Sequence, residues 1–243
     1  MPADTGKHFH YQHGAITRGD TASKKMSIVF TGDEFADGGS TIIDALAKEN
    51  IKASFFFTGR FYGNKKFENI IHKLKKNGHY LGAHSNEHLL YCDWEKRDSL
   101  LVSHEQFNLD LQKNYERMKS FGIAKRNARY FLPPYEWYND SIALWTKQQN
   151  LQLINFSPGT NGAADYTWPE LKNFRNSESI FESIETCEAR STAGLNGFIL
   201  LLHIGTDPRR IDKFYYYLPQ LLRWLKEKGY QPVKVDELLE QKF

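Results

Sequence analysis

The sequence is short of cysteine, of long apolar runs and of excess charge of either sign. Two cysteines, Cys92 and Cys187, make no disulfide framework. They can pair or remain thiols, and they do not fix a redox compartment. No apolar run approaches bilayer length, which excludes a spanning helix as a reading of the sequence. The 32 basic and 29 acidic residues leave a net charge of +3, too small and too evenly spread to point to nucleic acid. Met1–Thr21 is polar and reads as containing no signal peptide, as expected of a cytosolic protein or of a form that starts after cleavage. Repeats, linkers and low-complexity segments are absent too. A chain of 243 residues can bury a sizeable core without staples, so one large α/β domain is expected.

What the chain does contain is a rhythm. Residues 1–24, with His8, His10 and His13, show little periodicity and are read as an N-terminal surface arm. The catalytic domain is then expected over residues 25–243. Met26–Phe30 is the first buried strand. It empties into Thr31-Gly32-Asp33-Glu34-Phe35-Ala36-Asp37-Gly38-Gly39, after which Ser40 is expected to cap a helix over Thr41–Glu49. Strand Ala53–Phe57, a helix over Phe67–Lys76 stopped by Gly78, and strand Tyr80–Ala83 follow. Leu90–Leu101 reads as an insertion over the sheet. Helix Glu105–Phe121, strand Ala128–Leu132, helix Ser141–Gln149 and strand Leu151–Phe156 continue the alternation. The last elements are helix Ser177–Ala189, strand Gly197–Leu202, helix Tyr216–Lys228 and strand Tyr230–Val235. Alternating units of this kind build parallel sheets whose ligands gather at the carboxyl ends of the strands.

The polar residues fall at those ends. His84-Ser85-Asn86-Glu87-His88 follows the third strand. Two histidines four apart stack on one face if the segment turns helically, and borderline cations such as zinc accept neutral imidazole with a carboxylate as third ligand. Asp33, Glu34 and Asp37 offer that carboxylate and a general base. A bound divalent ion brings the pKa of a water toward neutrality, and a carboxylate takes its proton. A backbone N–H after the Pro133-Pro134 turn can help hold a developing oxyanion. His203, at the end of the most apolar strand, titrates in the range needed to protonate a leaving group. Each feature alone has a plainer explanation as a turn, a chain stop or a hydrogen-bonded core histidine. Their convergence at one sheet end does not.

From Lys25 to Leu239 the chain resembles the polysaccharide deacetylases, the fourth family of carbohydrate esterases. His84-Ser85-Asn86-Glu87-His88 fits the family's His-Ser/Thr-x-x-His motif, and Leu200-Leu201-Leu202-His203 fits its Leu-His motif. Leu132-Pro133-Pro134-Tyr135 is similar to an Arg-Pro-Pro-Tyr turn, with Leu132 in place of the Arg that holds the base. Asp165-Tyr166 loosely matches an Asp-Trp pair. The acidic motif, Thr-Phe-Asp-Asp-Gly in the family, is stretched here. Aligned on the strand, it makes Asp33 the base and Glu34 the ligand; aligned on the Asp-Gly step, it makes Asp37 the ligand. A bulged loop with Asp33 as base and Asp37 as ligand is the preferred arrangement, with Glu34 the runner-up for either role.

The resemblance implies a distorted, TIM-like (β/α) barrel of about seven parallel strands. It implies a metal-dependent deacetylase of N- or O-acetylated poly- or oligosaccharides, with Zn2+, or Co2+ or Ni2+, held by Asp37, His84 and His88. Asp33 would be the base, His203 the general acid and the Tyr135 N–H an oxyanion donor. Leu202 would line an acetyl pocket, and Trp137 and Tyr138 would stack on sugar. Such enzymes meet their polymers in the periplasm or outside the cell. Two alternatives stand beside this expectation: a carbohydrate-binding protein that has lost turnover, and a hydrolase of small non-peptide amides. The oligomeric state is left open.

Overall fold

The computed structural model describes residues 8–240. A short antiparallel hairpin, β1 (His10–Gln12) and β2 (Ala15–Arg18), opens the chain. The parallel strands follow: β3 (Lys25–Gly32), β4 (Ser54–Phe57), β5 (Tyr80–Ala83), β6 (Tyr130–Phe131), β7 (Gln152–Leu153), β8 (Ile199–His203) and β9 (Gln231–Pro232). They lie in the order β7-β6-β5-β4-β3-β8, with β9 paired to the start of β3. The helices between them are α1 (Gly39–Lys48), α2 (Gly59–Gly63), α3 (Glu68–Lys76), α4 (His104–Ser120), α5 (Asp140–Gln148), α6 (Ser177–Arg190), α7 (Leu218–Glu227) and α8 (Val235–Leu239). The result is the parallel sheet that the alternation predicts, curled and ringed by helices into the distorted (β/α) barrel that the resemblance implies.

Strand period decides what each residue faces. Ile28, Phe30, Phe55, Phe57, Leu81, Ala83, Leu200 and Leu202 point outward and pack under the helices. Their neighbours Val29, Phe56, Tyr80, Leu132, Ile154, Ile199 and Leu201 fill the lumen with Ile16. Fully burying each large apolar side chain contributes about 1.5–3 kcal/mol before entropy is counted. The lower end is plugged by Val235, Leu238 and Leu239 of α8. The Val235 N–H donates to Ser54 Oγ at 2.8 Å, so the last expected strand is cut short and the chain turns helical beneath the barrel.

The stretch read as a surface arm is partly built into the body. Ala15 and Ile16 are fully buried. Ile16 bridges Ile154 in parallel, and Arg18 bridges Phe198 antiparallel. β2 thus spans the gap between the two ends of the sheet, which neither β7 nor β8 closes. Arg18 reinforces the join, donating to the carbonyls of Gly194 (2.7 Å) and Asn196 (2.8 Å). A four-residue strand with no alternation is too short to show this in sequence.

Ser40 does not cap α1. The helix begins two residues earlier, with Gly38 at the N-cap and no side-chain cap, because the Gly38 N–H is tied to the Ile204 carbonyl at 3.0 Å. By contrast, α4 starts at a full capping box between Ser103 and Gln106. Cys92 and Cys187 are both free thiols. Among the described residues, no helix is long and apolar enough to cross a membrane.

Candidate active site

The lumen is apolar below and polar above. At the carboxyl ends of the strands lies a cavity of about 630 Å³, lined by Asp33, Glu34, His84, His88, Glu136 and His203 among others. The same alternation that buries Val29 and Leu201 inward brings Asp33 and His203 onto the lumen face a few residues further along.

The His84–His88 segment is not helical. Ser85 and His88 hold left-handed φ angles of 67° and 54°, and the Ser85 hydroxyl accepts the His88 N–H at 2.9 Å. α4 supports this turn from behind. Asp110 accepts the N–H groups of Asn86 (2.8 Å) and Glu87 (3.0 Å), and Asn114 accepts that of His84 (3.0 Å). The two rings meet edge to face with centroids 5.1 Å apart. The His84 Nδ1–H donates to the Leu132 carbonyl at 2.8 Å, since a carbonyl can only accept, which leaves Nε2 as a lone pair. Burial, helped by the proximity of His88, pushes His84 well below the ordinary imidazole range. Burial also takes His88 down to about 4, against the opposing pull of Asp33. Both rings are therefore neutral at pH 7, the form that ligates metals.

Asp33 faces the same cavity and is clamped. Thr58, the N-cap of α2, donates its hydroxyl to Asp33 Oδ1 at 2.7 Å. Arg60 donates Nε–H to the same oxygen at 3.0 Å and a terminal N–H to Oδ2. The start of α2 is itself stitched to the imidazole turn, Gly59 N–H to Ser85 O at 2.9 Å. A Cβ at residue 59 would lie 1.9 Å from the Asn86 side-chain oxygen, so only glycine permits this approach. Leu132 stands where an orienting Arg was expected. The guanidinium contact comes instead from Arg60, one strand over.

Asp37 is not brought to the imidazoles. Its carboxylate accepts the Thr206 N–H (2.8 Å) and the Tyr215 hydroxyl (3.0 Å) and pairs with Lys213 at 2.9 Å. It does not line the cavity. The loop after β8 presses on this segment, and a Cβ on Gly205 would sit 2.4 Å from the Ala36 nitrogen. Glu34 does line the cavity and makes no hydrogen bond or ion pair among the described residues. Among those residues no three His, Cys, Asp or Glu side chains are gathered as a ready metal cluster.

His203 is held by Asp165, which is 3% exposed. Nδ1–H donates to Asp165 Oδ1 at 2.6 Å, and the His203 backbone N–H donates to Oδ2 at 2.9 Å. Burial, the largest influence, lowers the imidazole pKa. The Asp165 charge and hydrogen bond and the nearby Glu136 more than offset it, so the ring sits above its ordinary value.

Three expected contacts fail for geometric reasons. Leu202 adjoins His203 and so must face the other way, into the layer under the helices; Leu201 shares the lumen face. Trp137 lies behind the cavity, its Nε1–H on the Asp93 carbonyl at 3.1 Å and the Arg97 guanidinium 3.5 Å over its ring. Tyr138 is buried, with its hydroxyl on Gln12 O. The aromatic walls are instead Trp94, Tyr135, Tyr166 and Trp168. Trp94, 55% exposed, leans on Trp137 at 5.4 Å; Tyr135 packs on His88 at 4.4 Å and Tyr166 on His203 at 5.1 Å. Arg209 caps Trp168 at 3.8 Å while paired in two places to Asp207. After Pro133-Pro134, both Tyr135 and Glu136 take left-handed φ angles, 57° and 54°. The Tyr135 N–H finds no acceptor among the described residues.

Fold and cavity together define a parallel (β/α) barrel whose site, rich in imidazole and carboxylate, opens at the carboxyl ends of the strands. The chain belongs to the polysaccharide deacetylase family, whose model matches residues 19–154. It is 27% identical over 225 residues to a peptidoglycan-N-acetylglucosamine deacetylase of Bacillus cereus, covering 92% of each chain. Two solved structures share the fold. One is the family 4 carbohydrate esterase PdaA of Bacillus subtilis, with a TM-score of 0.70 and 20% identity, covering 96% of this chain and 94% of that one. The other is a family 4 pseudoenzyme of Bacillus anthracis, with a TM-score of 0.72 and 19% identity, covering 94% and 69%.

Proposed function

We propose that the chain is a metal-dependent deacetylase that hydrolyses acetyl groups on a poly- or oligosaccharide. The observation that carries this is the meeting, in one cavity, of two neutral imidazoles, a clamped carboxylate and a carboxylate-held histidine. Sequence kinship to named deacetylases and the exposed aromatic walls, suited to flat sugar faces, support the substrate class.

His84 and His88 would hold the ion, with Glu34 as the free carboxylate on the same wall. Zinc fits this nitrogen pair, and cobalt or nickel would also be accepted. The fit is in the donors: the Leu132 carbonyl fixes the His84 tautomer and burial keeps both rings unprotonated. A divalent ion there supplies positive charge that acidifies a water and polarises the acetyl carbonyl. Asp33, oriented by Thr58 and Arg60, takes the proton of the attacking water. The free N–H of Tyr135 donates to the oxygen that gains negative charge. His203 as the imidazolium carries on Nε2 the proton for the leaving group, and Asp165, accepting Nδ1–H, stabilises that charged form and orients the ring.

The test is acetate release from acetylated chitin, peptidoglycan and xylan oligomers, with chelated protein and protein restored with zinc, cobalt or nickel. Turnover that disappears on chelation and returns with metal is expected. No turnover on any substrate, with metal present, would sink the reading. A second reading, glycan binding without turnover, is favoured by one observation: Asp37 is withdrawn and no three-ligand cluster is assembled among the described residues. It predicts glycan affinity without acetate release at any metal concentration.

A further inference from the structure

The cavity's carboxylates are not equivalent. Asp33 is paired with Arg60, Asp207 with Arg209 and Asp165 with His203. Glu34 is open to solvent. Glu136 alone among them is half-buried, lines the cavity and makes no side-chain hydrogen bond or ion pair among the described residues.

Its backbone is fixed at the cavity wall. Glu136 takes φ 54°, directly after Tyr135 at 57°, a conformation that glycine adopts freely and glutamate does not. Neighbours fix it: its N–H donates to the Pro133 carbonyl at 3.1 Å, and its carbonyl accepts Asn155 Nδ2–H at 3.0 Å. The carboxyl lies within electrostatic reach of both His203 and Asp165. It therefore shares the cavity with the imidazole assigned to the leaving group, and the two charges act on each other.

We propose that Glu136 is a specificity-determining residue whose carboxylate faces the leaving-group side of the scissile bond and selects N-acetylated amino sugars over O-acetylated ones. The inference rests on the deacetylase reading above. Hydrolysis of an acetamide breaks the C–N bond; the water oxygen stays in acetate and both water protons end on nitrogen, giving acetate and a sugar ammonium. Positive charge thus develops on the leaving atom. Ester hydrolysis releases a neutral alcohol on the sugar and develops no such charge. An anionic acceptor without a protein partner complements the first case and gives little to the second. Burial pushes this carboxyl up to about 7, which an ammonium beside it would oppose.

The experiment has a binding arm and a turnover arm, both on zinc-supplemented full-length protein. Calorimetry compares chitosan oligomers, which carry free amines, with fully N-acetylated oligomers of equal length. Glu136→Gln is expected to weaken the amine form about tenfold more than the acetylated form. In turnover, the ratio of kcat/KM for N-acetyl over O-acetyl substrates should fall about tenfold in the same variant. Glu136→Gly is the folding control. Glycine suits the positive φ, so its unfolding midpoint should not drop while both ratios shift as in Glu136→Gln. Equal losses on amine and acetyl ligands, or an unchanged N/O ratio, would overturn the assignment, as would wild-type protein that does not bind the amine oligomer. If wild type turns over nothing, the deacetylase reading fails and this assignment falls with it; turnover with an unchanged N/O ratio sinks the assignment alone.

Discussion

Asp33 and Asp37 sit four residues apart in one loop, and the molecule uses them differently. Asp33 stands on the lumen face, gripped by Thr58 and Arg60 from the neighbouring strand end. Asp37 lies beyond the cavity, tied to Thr206, Tyr215 and Lys213 from the elements after β8. One carboxylate shares the cavity with the imidazoles; the other fastens the loop to the far side of the barrel. Chemistry follows position, not residue type. An acid's role is set by which neighbouring element supplies its donors.

That contrast can be broken experimentally. The largest effect is expected at the cavity: Asp33→Asn should lower kcat by about 10²–10⁴-fold, the range for losing a general base, with the fold intact by circular dichroism. A loss under tenfold would remove Asp33 from the chemistry.

The next effect sharpens the role of its clamp. Arg60→Ala leaves Asp33 with only Thr58 and should lower kcat by about 10–100-fold through misplacement of the base. Arg60→Lys should recover only part, because an ammonium cannot reproduce the two-point contact. Kinetics at saturating substrate read this out, and full activity in Arg60→Ala would show that Thr58 suffices.

At the other end of the loop, Asp37→Ala should act on stability. It leaves the Thr206 N–H and Tyr215 hydroxyl unpaired and should cost about 1–3 kcal/mol in denaturant unfolding. Loss of metal binding without loss of stability would place Asp37 back among the ligands.

The smallest effect is on pH dependence. His79 and His88 are lowered to about 4 by burial, and His84 also lies below the ordinary range. Their folded pKa values fall below the unfolded value, so the unfolded chain binds more protons below about pH 6.5. Stability of the chelated protein should therefore drop as pH falls from about 6.5 towards 4, and His79→Gln should flatten that slope. Denaturant midpoints at matched ionic strength would show it. A stability that rises on acidification through this window would contradict the burial of these rings.

Much of the fold was legible because strand period and helix period are local. The runs Met26–Phe30 and Ala53–Phe57 and the stop at Gly78 lie where the sequence puts them. β2 and α8 were missed because each is short and gains its stability from distant partners, Ile154 and Phe198 for one and Ser54 for the other. In the site, His84, His88, Asp33 and His203 were readable from their places after strands. Arg60, Glu136 and Trp94 were not singled out, although Glu136 directly follows Pro133-Pro134-Tyr135 and could have been suspected. The Leu202 assignment broke a rule visible in the sequence itself: neighbours on a strand face opposite sides.

The sequence by itself determined the alternation of strands and helices, the end of the barrel where polar residues collect, and which imidazoles stand there, because these depend on spacing along one chain. Tertiary structure decided which acid joins them, which arginine steadies it, and which aromatic rings wall the cavity. Those choices are made between segments far apart in sequence, where a hydrogen bond or a close approach, such as that of Gly59 on Asn86, depends on three-dimensional distances that no local pattern encodes.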